Sequence, residues 1–167
     1  MSDRQKSRLC WVGFGVILLH NLEEAFTAPA WLAAHARELQ LRFGLERIPA
    51  ANARGFYASL TVLTILILFW IVAVRRAPDR SLGMHSLVFL FAVFFCNALV
   101  PHLAGALLLG RYVPGVLTAV LLVMPFTIVW SIRAFRAGWV DAKGFTAGVA
   151  AAIVFYTAVA GSLLGMS

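Results

Sequence analysis

The stretch 57-YASLTVLTILILFWIVAV-74 contains no charged side chain. An uninterrupted apolar run of about 18 residues or more is long enough to cross a lipid bilayer as an α-helix. Four other segments, separated by turn residues, have the same character: Leu9–Ala33, His85–Gly110, Tyr112–Phe135 and Phe145–Leu164. We therefore predict an all-α, polytopic membrane helical bundle with five transmembrane helices, in which residues 1–167 form a single domain.

Composition agrees with a lipid environment. Hydrophobic residues make up 62% of the chain and charged residues 13%, whereas soluble domains have about 45–50% apolar and about 25% charged residues. A soluble fold of this length could not bury so much apolar surface. We expect membrane lipids to be the main surroundings and partners of the protein.

The net charge of +7 would also suit a nucleic-acid-binding protein. However, the basic residues lie between the apolar runs and form no single patch, which is the ordinary pattern of membrane topology. We expect no nucleic-acid partner. Cys10 and Cys96 form no CxxC pair, so they indicate neither a zinc finger nor a disulfide framework.

Basic residues also predict the orientation. With a cytoplasmic N-terminus, nine of the 14 Lys and Arg residues lie on the cytoplasmic side and five on the other. Because short cytoplasmic loops are enriched in Lys and Arg, this distribution favours an N-terminus inside the cell. The longest segment outside the spans, residues 35–55, interleaves leucines with arginines and glutamates. It is either an interfacial amphipathic helix that forms a lid over the bundle or a solvated loop, and the sequence favours neither.

The most informative residues lie inside the first span, in the string His20-Asn21-Leu22-Glu23-Glu24. A carboxylate at the centre of a bilayer costs about 2.5–3.5 kcal/mol, so two of them need a partner, a proton or a cation. His20 lies three and four residues before the two glutamates, which places all three side chains on one side of a helix. Imidazole and carboxylate together are a ligand set for zinc, iron or manganese.

A second polar group interrupts the third span: Asn97, followed by Pro101 and His102. At a rise of 1.5 Å per residue, both polar groups lie roughly 16–25 Å from the same end of the bundle. Since the first and third spans run in the same direction, the groups come level. We therefore predict one intramembrane site that contains His20, Glu23, Glu24 and His102 as candidate metal ligands. A buried Glu–His pair that only fixes helix packing is the structural alternative.

These residues resemble the motifs of the HXXEE-motif family, which comprises small bacterial and archaeal membrane proteins without an assigned reaction. Three motifs carry the resemblance: His20–Glu24, Asn97-Ala98 with His102, and Tyr112-x-Pro-Gly-x-x-Thr118. In the family pattern two residues separate Asn-Ala from the histidine, but here three do, and a kink at Pro101 could absorb the extra one. The resemblance implies that the motifs belong together and that the protein lies in the bacterial inner membrane.

The leading functional hypothesis is a metal-dependent membrane enzyme that hydrolyses a lipidic or otherwise apolar substrate. His20, His102 and one glutamate would bind the metal, which leaves one position open for water. The other glutamate would be the general base, and the sequence does not assign Glu23 and Glu24 between these roles. Asn97 or Tyr112 would orient a ligand or stabilise an oxyanion.

Two other functional classes remain. In a proton-coupled transporter, Glu23 and Glu24 would exchange protons with the histidines. In a scaffold, the Glu–His pair would only hold the helices together. Five spans without an inverted repeat do not favour a monomeric transporter. The Gly- and Ala-rich last span, residues 144–165, has the small residues of a helix–helix interface and would suit a homo-oligomer.

Overall fold

A computed structural model describes residues 3–43 and 53–163 of the chain, and these residues form five long helices without a strand. All five helices are long and apolar enough to cross a membrane. The predicted all-α fold with five helices is therefore confirmed for the described residues. The helices are α1 (Asp3–Phe43), α2 (Ala53–Val74), α3 (Leu82–Leu109), α4 (Val116–Arg136) and α5 (Ala142–Leu163).

Helices α3 and α4 are not α-helical throughout. Each contains a π-helical segment, Ala98–Ala104 in α3 and Ala119–Val123 in α4, and the two segments pack against each other. A tight connection joins the two helices into an antiparallel hairpin. The connection begins at Gly110 and ends at Gly115, both with positive φ, which glycine adopts without a steric penalty.

Helix α3 lies at the centre of the bundle, because it packs along α5 and also contacts α2 and α4. Phe91 of α3 is 1% exposed and meets the indole of Trp130 at a ring-centroid distance of 4.7 Å in an edge-to-face arrangement. Ile17 of α1 and Ile71 of α2 belong to the same buried cluster. This apolar core holds α1, α2 and α4 around α3, and so sets the position of the polar residues further along these helices.

Large apolar side chains also cover the outside of the bundle. Phe26, Phe69, Leu121 and Val154 are between 66% and 82% exposed. Continuous apolar surface of this extent is unusual in a soluble monomer and marks a surface that lipid or another protein covers.

At the end of the bundle that contains the N-terminus, Lys6 fastens α1 to the connection between α2 and α3. Its side chain is buried, and the ammonium group donates to the carbonyl of Ala77 at 2.9 Å and to Oδ1 of Asp79 at 2.7 Å. These charge-assisted contacts join α1 to the connection between α2 and α3 at this end of the bundle.

The first helix is longer than the predicted span. It continues without interruption from Leu9–Ala33 through His35 to Phe43, so the first part of the 35–55 segment extends α1. Residues 44–52 of that segment lie outside the described residues. The role of the segment as an interfacial helix or lid, and the cytoplasmic position of the N-terminus, remain predictions.

Candidate metal centre

The structure brings His20, Glu24 and His102 together in the interior of the bundle. One potential ligand atom from each of the three lies within 4.8 Å of the others. Both imidazoles are almost fully buried, with 1% and 4% exposure for His20 and His102. The Glu24 carboxylate lies 3.3 Å from Nε2 of His102 and is 20% exposed. The group joins α1 to α3, as the equal depths of the two polar clusters indicated, and the three residues could bind a metal ion.

The π-helical segment of α3 determines where His102 points. Asn97 and His102 are five residues apart, which in an α-helix would separate them by about 140° around the axis. In the π-helical segment hydrogen bonds connect residues five apart, so the two side chains lie on the same side. Accordingly, Nδ2 of Asn97 lies 3.0 Å from Nε2 of His102.

The protonation of His102 follows from its other ring nitrogen. Nδ1 lies 2.7 Å from the carbonyl oxygen of Pro114. Because a carbonyl only accepts hydrogen bonds, Nδ1 carries the proton and donates it. In the neutral ring, Nε2 therefore presents a lone pair to Glu24 and Asn97. A backbone carbonyl on the second ring nitrogen is the usual arrangement for a metal-binding histidine.

His20 has the same tautomer for a similar reason. The hydroxyl of Thr118 donates to Oε2 of Glu23 at 2.5 Å, so its oxygen is free to accept from Nδ1 of His20 at 2.9 Å. Nε2 of His20 then carries a lone pair and lies 3.4 Å from Nδ2 of Asn97. Glu23, Thr118 and His20 thus form a hydrogen-bonded series of carboxylate, hydroxyl and imidazole, which fixes the orientation of the His20 ring.

Glu23 does not face the histidine nitrogens. Its Oε1 accepts the Tyr112 hydroxyl at 2.7 Å and the amide of Leu117 at 3.3 Å, and its Oε2 accepts the amide of Thr118 at 2.8 Å in addition to the hydroxyl. Both oxygens are therefore occupied at the first turn of α4, where helix N–H groups lack partners within the helix. Glu23 binds α4 to α1.

Tyr112 lies in the connection between α3 and α4 and completes this contact. Burial raises the pKa of the phenol above its usual value, and the hydroxyl therefore remains a hydrogen-bond donor to Glu23. The same hydroxyl lies 3.3 Å from Oγ1 of Thr27, one turn further along α1. The Tyr112 side chain thus joins the connection before α4 to two residues of α1, Glu23 and Thr27.

Gly115 allows the connection to pass close to both imidazoles. A Cβ atom at this position would lie 2.6 Å from Cε1 of His102 and 3.0 Å from Cε1 of His20. The residue also has φ of +83°, in the region that side chains rarely adopt. Only glycine fits both conditions, so the turn is part of the wall of the site.

The nitrogen lone pairs and the Glu24 carboxylate face one another across a small space. Asn97 can donate one N–H to each Nε2, which satisfies both rings. No hydrogen-bond donor reaches Glu24 from residues 3–43 or 53–163 apart from what His102 could offer in another protonation state. A proton or a metal cation is therefore needed between Glu24 and His102, because two acceptors in contact repel each other.

A cavity of about 590 Å³ adjoins the site, and both Glu24 and Asn97 line it. Most of its other lining residues are apolar and come from α2, α3 and α5. This volume is in the usual range for small-molecule sites. The carboxylate thus connects the buried histidines to a space that a ligand could occupy.

The predicted site residues therefore separate into two groups. His20, Glu24, His102 and Asn97 surround one point, whereas Glu23 and Tyr112 lie behind His20 and hold α4. The roles of all six as ligands or catalytic groups remain predictions. The sequence analysis did not identify the Pro114 carbonyl as a partner of His102. It also gave no role to Asn21, whose amide donates to the Thr64 hydroxyl of α2 at 2.8 Å.

Residues 11–130 match the family described as "Protein of unknown function with HXXEE motif". The chain belongs to this HXXEE family. It is also similar to the uncharacterized protein YrkK of Bacillus subtilis (strain 168), with 26% identity over 109 residues. That alignment covers 65% of this chain and 63% of the Bacillus protein, which is less than two thirds of its length. No solved structure matches the chain.

The geometry gives a physical meaning to the HXXEE motif in this chain. The histidine and the second glutamate, His20 and Glu24, face the same point, and the first glutamate, Glu23, fastens the neighbouring hairpin. The Tyr112-x-Pro-Gly-x-x-Thr118 motif supplies the partners on the other side: a donor to Glu23, a carbonyl for His102 and a hydroxyl for His20. All of these residues fall within the matched region.

Proposed function

We propose that this HXXEE protein is an integral membrane enzyme that binds a divalent metal ion through His20, Glu24 and His102 and hydrolyses an apolar substrate. One observation carries the proposal: two imidazole nitrogens and a carboxylate converge within 4.8 Å, and the carboxylate of Glu24 accepts no hydrogen bond from the described residues. A metal cation is the group that three such ligands bind together.

The arrangement of the ligands supports this proposal. A tetrahedral zinc ion with metal–nitrogen distances of 2.0–2.1 Å has ligand atoms about 3.4 Å apart. The Glu24–His102 distance of 3.3 Å already agrees with that geometry, and the limit of 4.8 Å within the group requires only small side-chain rotations. Thr118 and the Pro114 carbonyl hold the two rings with Nε2 directed inward, which is what a metal ligand needs.

Three protein ligands leave one coordination position open, and hydrolysis is the simplest reaction for such a centre. The metal would polarise the bond to be cleaved and lower the pKa of water that binds to it. Glu24 has a second carboxylate oxygen that can accept a proton at the edge of the cavity. Asn97 lies between the histidines and the cavity, where its amide can donate to an oxygen that gains negative charge.

A shared proton is the second candidate, and the position of Asn97 favours it. The amide already satisfies both Nε2 atoms, so a proton on Glu24 is enough to remove its repulsion from His102 without any metal. In that case the group would be a proton carrier in a transporter or a buried contact in a scaffold. Zinc, iron or manganese content distinguishes the metal centre from both of these.

The test is elemental analysis of the full-length protein purified in detergent. We expect near-stoichiometric zinc, iron or manganese in the wild type and loss of that metal in His20→Ala, Glu24→Ala and His102→Ala. His35→Ala is the matched control, since His35 is also on α1 and, within the described part of the chain, its hydrogen bond and ring contact are with Trp31. It should keep the metal. The proposal would be overturned if the wild type held no metal after reconstitution. It would also be overturned if His35→Ala lost the metal to the same extent as the other three variants.

We also propose that the protein spans the bacterial inner membrane with its N-terminus in the cytoplasm. The five apolar helices and the nine-to-five distribution of Lys and Arg support this orientation. Single cysteines introduced at Gln5 and Arg111, in a variant without Cys10 and Cys96, should react differently with a membrane-impermeant maleimide in whole cells. Labelling at Arg111 alone is expected, and labelling at Gln5 alone would reverse the orientation.

A further inference from the structure

The polar and apolar lining residues of the cavity beside the candidate metal centre lie at different levels of the bundle. Glu24 and Asn97 lie against His102, whereas Trp70 of α2 stacks on Phe89, about two turns before Asn97 on α3. The indole nitrogen of Trp70 donates to Ser86 at 3.0 Å, so the ring presents hydrocarbon to the cavity and keeps its polar atom satisfied. A ligand that fills this space needs one polar end and a long apolar body.

The length of the cavity can be read from α3. Phe89 and Asn97 are eight residues apart, which corresponds to about 12 Å along the helix. An extended chain of single bonds advances about 1.2 Å per bond, so this distance accepts about ten bonds of an alkyl chain. The cavity volume of about 590 Å³ is too small for a two-chain phospholipid but suits one chain with a small head.

The side of the cavity lies between α2 and α5. Leu63 and Leu66 of α2 and Phe155 and Val159 of α5 line the cavity, and all four are between 41% and 58% exposed. Residues of α3 form the floor, because Leu90 and Phe94 line the cavity and are buried. The mouth therefore opens through the apolar outer surface of the bundle, where acyl chains would surround it.

Tyr156 of α5 adds a polar group to the lining of the cavity. The residue is half-buried and lines the same cavity as Glu24 and Asn97. Its hydroxyl has no hydrogen-bond partner among residues 3–43 and 53–163, although a tyrosine hydroxyl in an apolar setting normally has one. The head group of a ligand could provide this partner.

We propose that the cavity is the binding site for a single-chain amphiphile, such as a fatty acid or its ester, which enters sideways from the lipid phase. The chain lies between α2 and α5 along Leu66 and Phe89, and the polar head lies between Glu24, Asn97 and Tyr156. The inference rests on the proposed function only where it takes the bound amphiphile to be the substrate of that site. The chain-binding part of the cavity does not require the metal.

The experiment is photolabelling of the full-length protein in lipid nanodiscs. The probe is a fatty acid of about ten carbons with a diazirine at the methyl end, a length that follows from the rise of α3. We expect cross-links to Trp70 or Phe89, located by peptide mass spectrometry. A two-chain phosphatidylcholine with the same diazirine should label the outer apolar surface instead.

Two matched substitutions on α2 test the position of the mouth. Leu66→Trp places an indole in the mouth, whereas Val62→Trp places one at another exposed position of the same helix. Leu66→Trp should lower the labelling of Trp70 and Phe89 by about tenfold, equivalent to about 1.4 kcal/mol of binding free energy, and Val62→Trp should leave it unchanged. Tyr156→Phe should weaken labelling by the free acid but not by the corresponding hydrocarbon.

The outcomes separate this inference from the metal centre. If His102→Ala loses the metal but keeps the cross-links, the chain-binding site is supported independently. The same holds if the wild type has no metal but is labelled at Trp70 or Phe89. If neither residue is labelled, if both tryptophan variants behave alike, or if the phospholipid labels the same residues equally, the inference is overturned, whatever the metal content.

Discussion

Gly115 provides the most direct test of the site, because a single methyl group there meets both histidines. In Gly115→Ala, the new Cβ would lie 2.6 Å from Cε1 and 2.8 Å from Nδ1 of His102. Crowding of this kind in a packed interior costs about 1–3 kcal/mol. The left-handed backbone at φ of +83° adds about 1–2 kcal/mol for a residue with a side chain. The free energy of unfolding of the variant should therefore be lower by about 2–5 kcal/mol in total.

Gly110→Ala is the matched control for this substitution. Gly110 also has a positive φ, +62°, but a Cβ there would meet no atom within 4 Å. The control should therefore show only the backbone cost of about 1–2 kcal/mol. The difference between the two alanine variants measures the contact with the imidazoles.

The assay combines the free energy of unfolding in mixed micelles with metal content. Gly115→Ala should be less stable than Gly110→Ala and should bind the metal about 10–100-fold more weakly, since the rings can no longer hold their orientation. Gly110→Ala should keep the metal. Equal stability and equal metal content in the two variants would refute the proposed contact between the turn and the histidines.

Two further substitutions test the separate roles of the neighbouring parts. Glu23→Gln should lower the free energy of unfolding by about 1–3 kcal/mol, because an NH2 group replaces one of the two oxygens that accept from Tyr112, Leu117 and Thr118. Glu24→Gln should lose metal with little change in stability; the reverse result would exchange the roles of the two glutamates. Lys6→Met should lower the free energy of unfolding by about 1–3 kcal/mol without changing metal content, because Lys6 binds Asp79 far from the site. Lys143→Met, at an exposed position, should show no such loss.

The fold could be predicted from the sequence because length and polarity alone decide where an apolar helix begins and ends. The run Tyr57–Val74 needed no information about its neighbours to be recognised as a helix. The equal depth of the two polar clusters in the bundle could also be predicted, because the first and third helices run in the same direction and rise equally per residue. That reasoning brought His20 and His102 to the same depth without any knowledge of side-chain contacts.

The separation of Glu23 from Glu24 could not be predicted. Adjacent residues on a helix point about 100° apart, so either one could face the third helix. The choice depends on α4, whose first N–H groups lie against Glu23 and bind it at Thr118. No pattern within α1 contains this information, because it depends on where another helix begins.

The orientation of His102 depends on the π-helical segment of α3, which the spacing of residues in the sequence does not reveal. An Asn and a His four residues apart lie about 40° from each other on an α-helix and so share one face. In this chain Asn97 and His102 are five apart, which a regular α-helix would turn away from each other by about 140°. The π-helical segment Ala98–Ala104 absorbs one extra residue locally, and Pro101, which cannot donate an N–H, lies within it. Both side chains therefore keep a common face, with Nδ2 of Asn97 3.0 Å from Nε2 of His102. The π-helical segment thus keeps both side chains at the site although their spacing does not fit a regular α-helix.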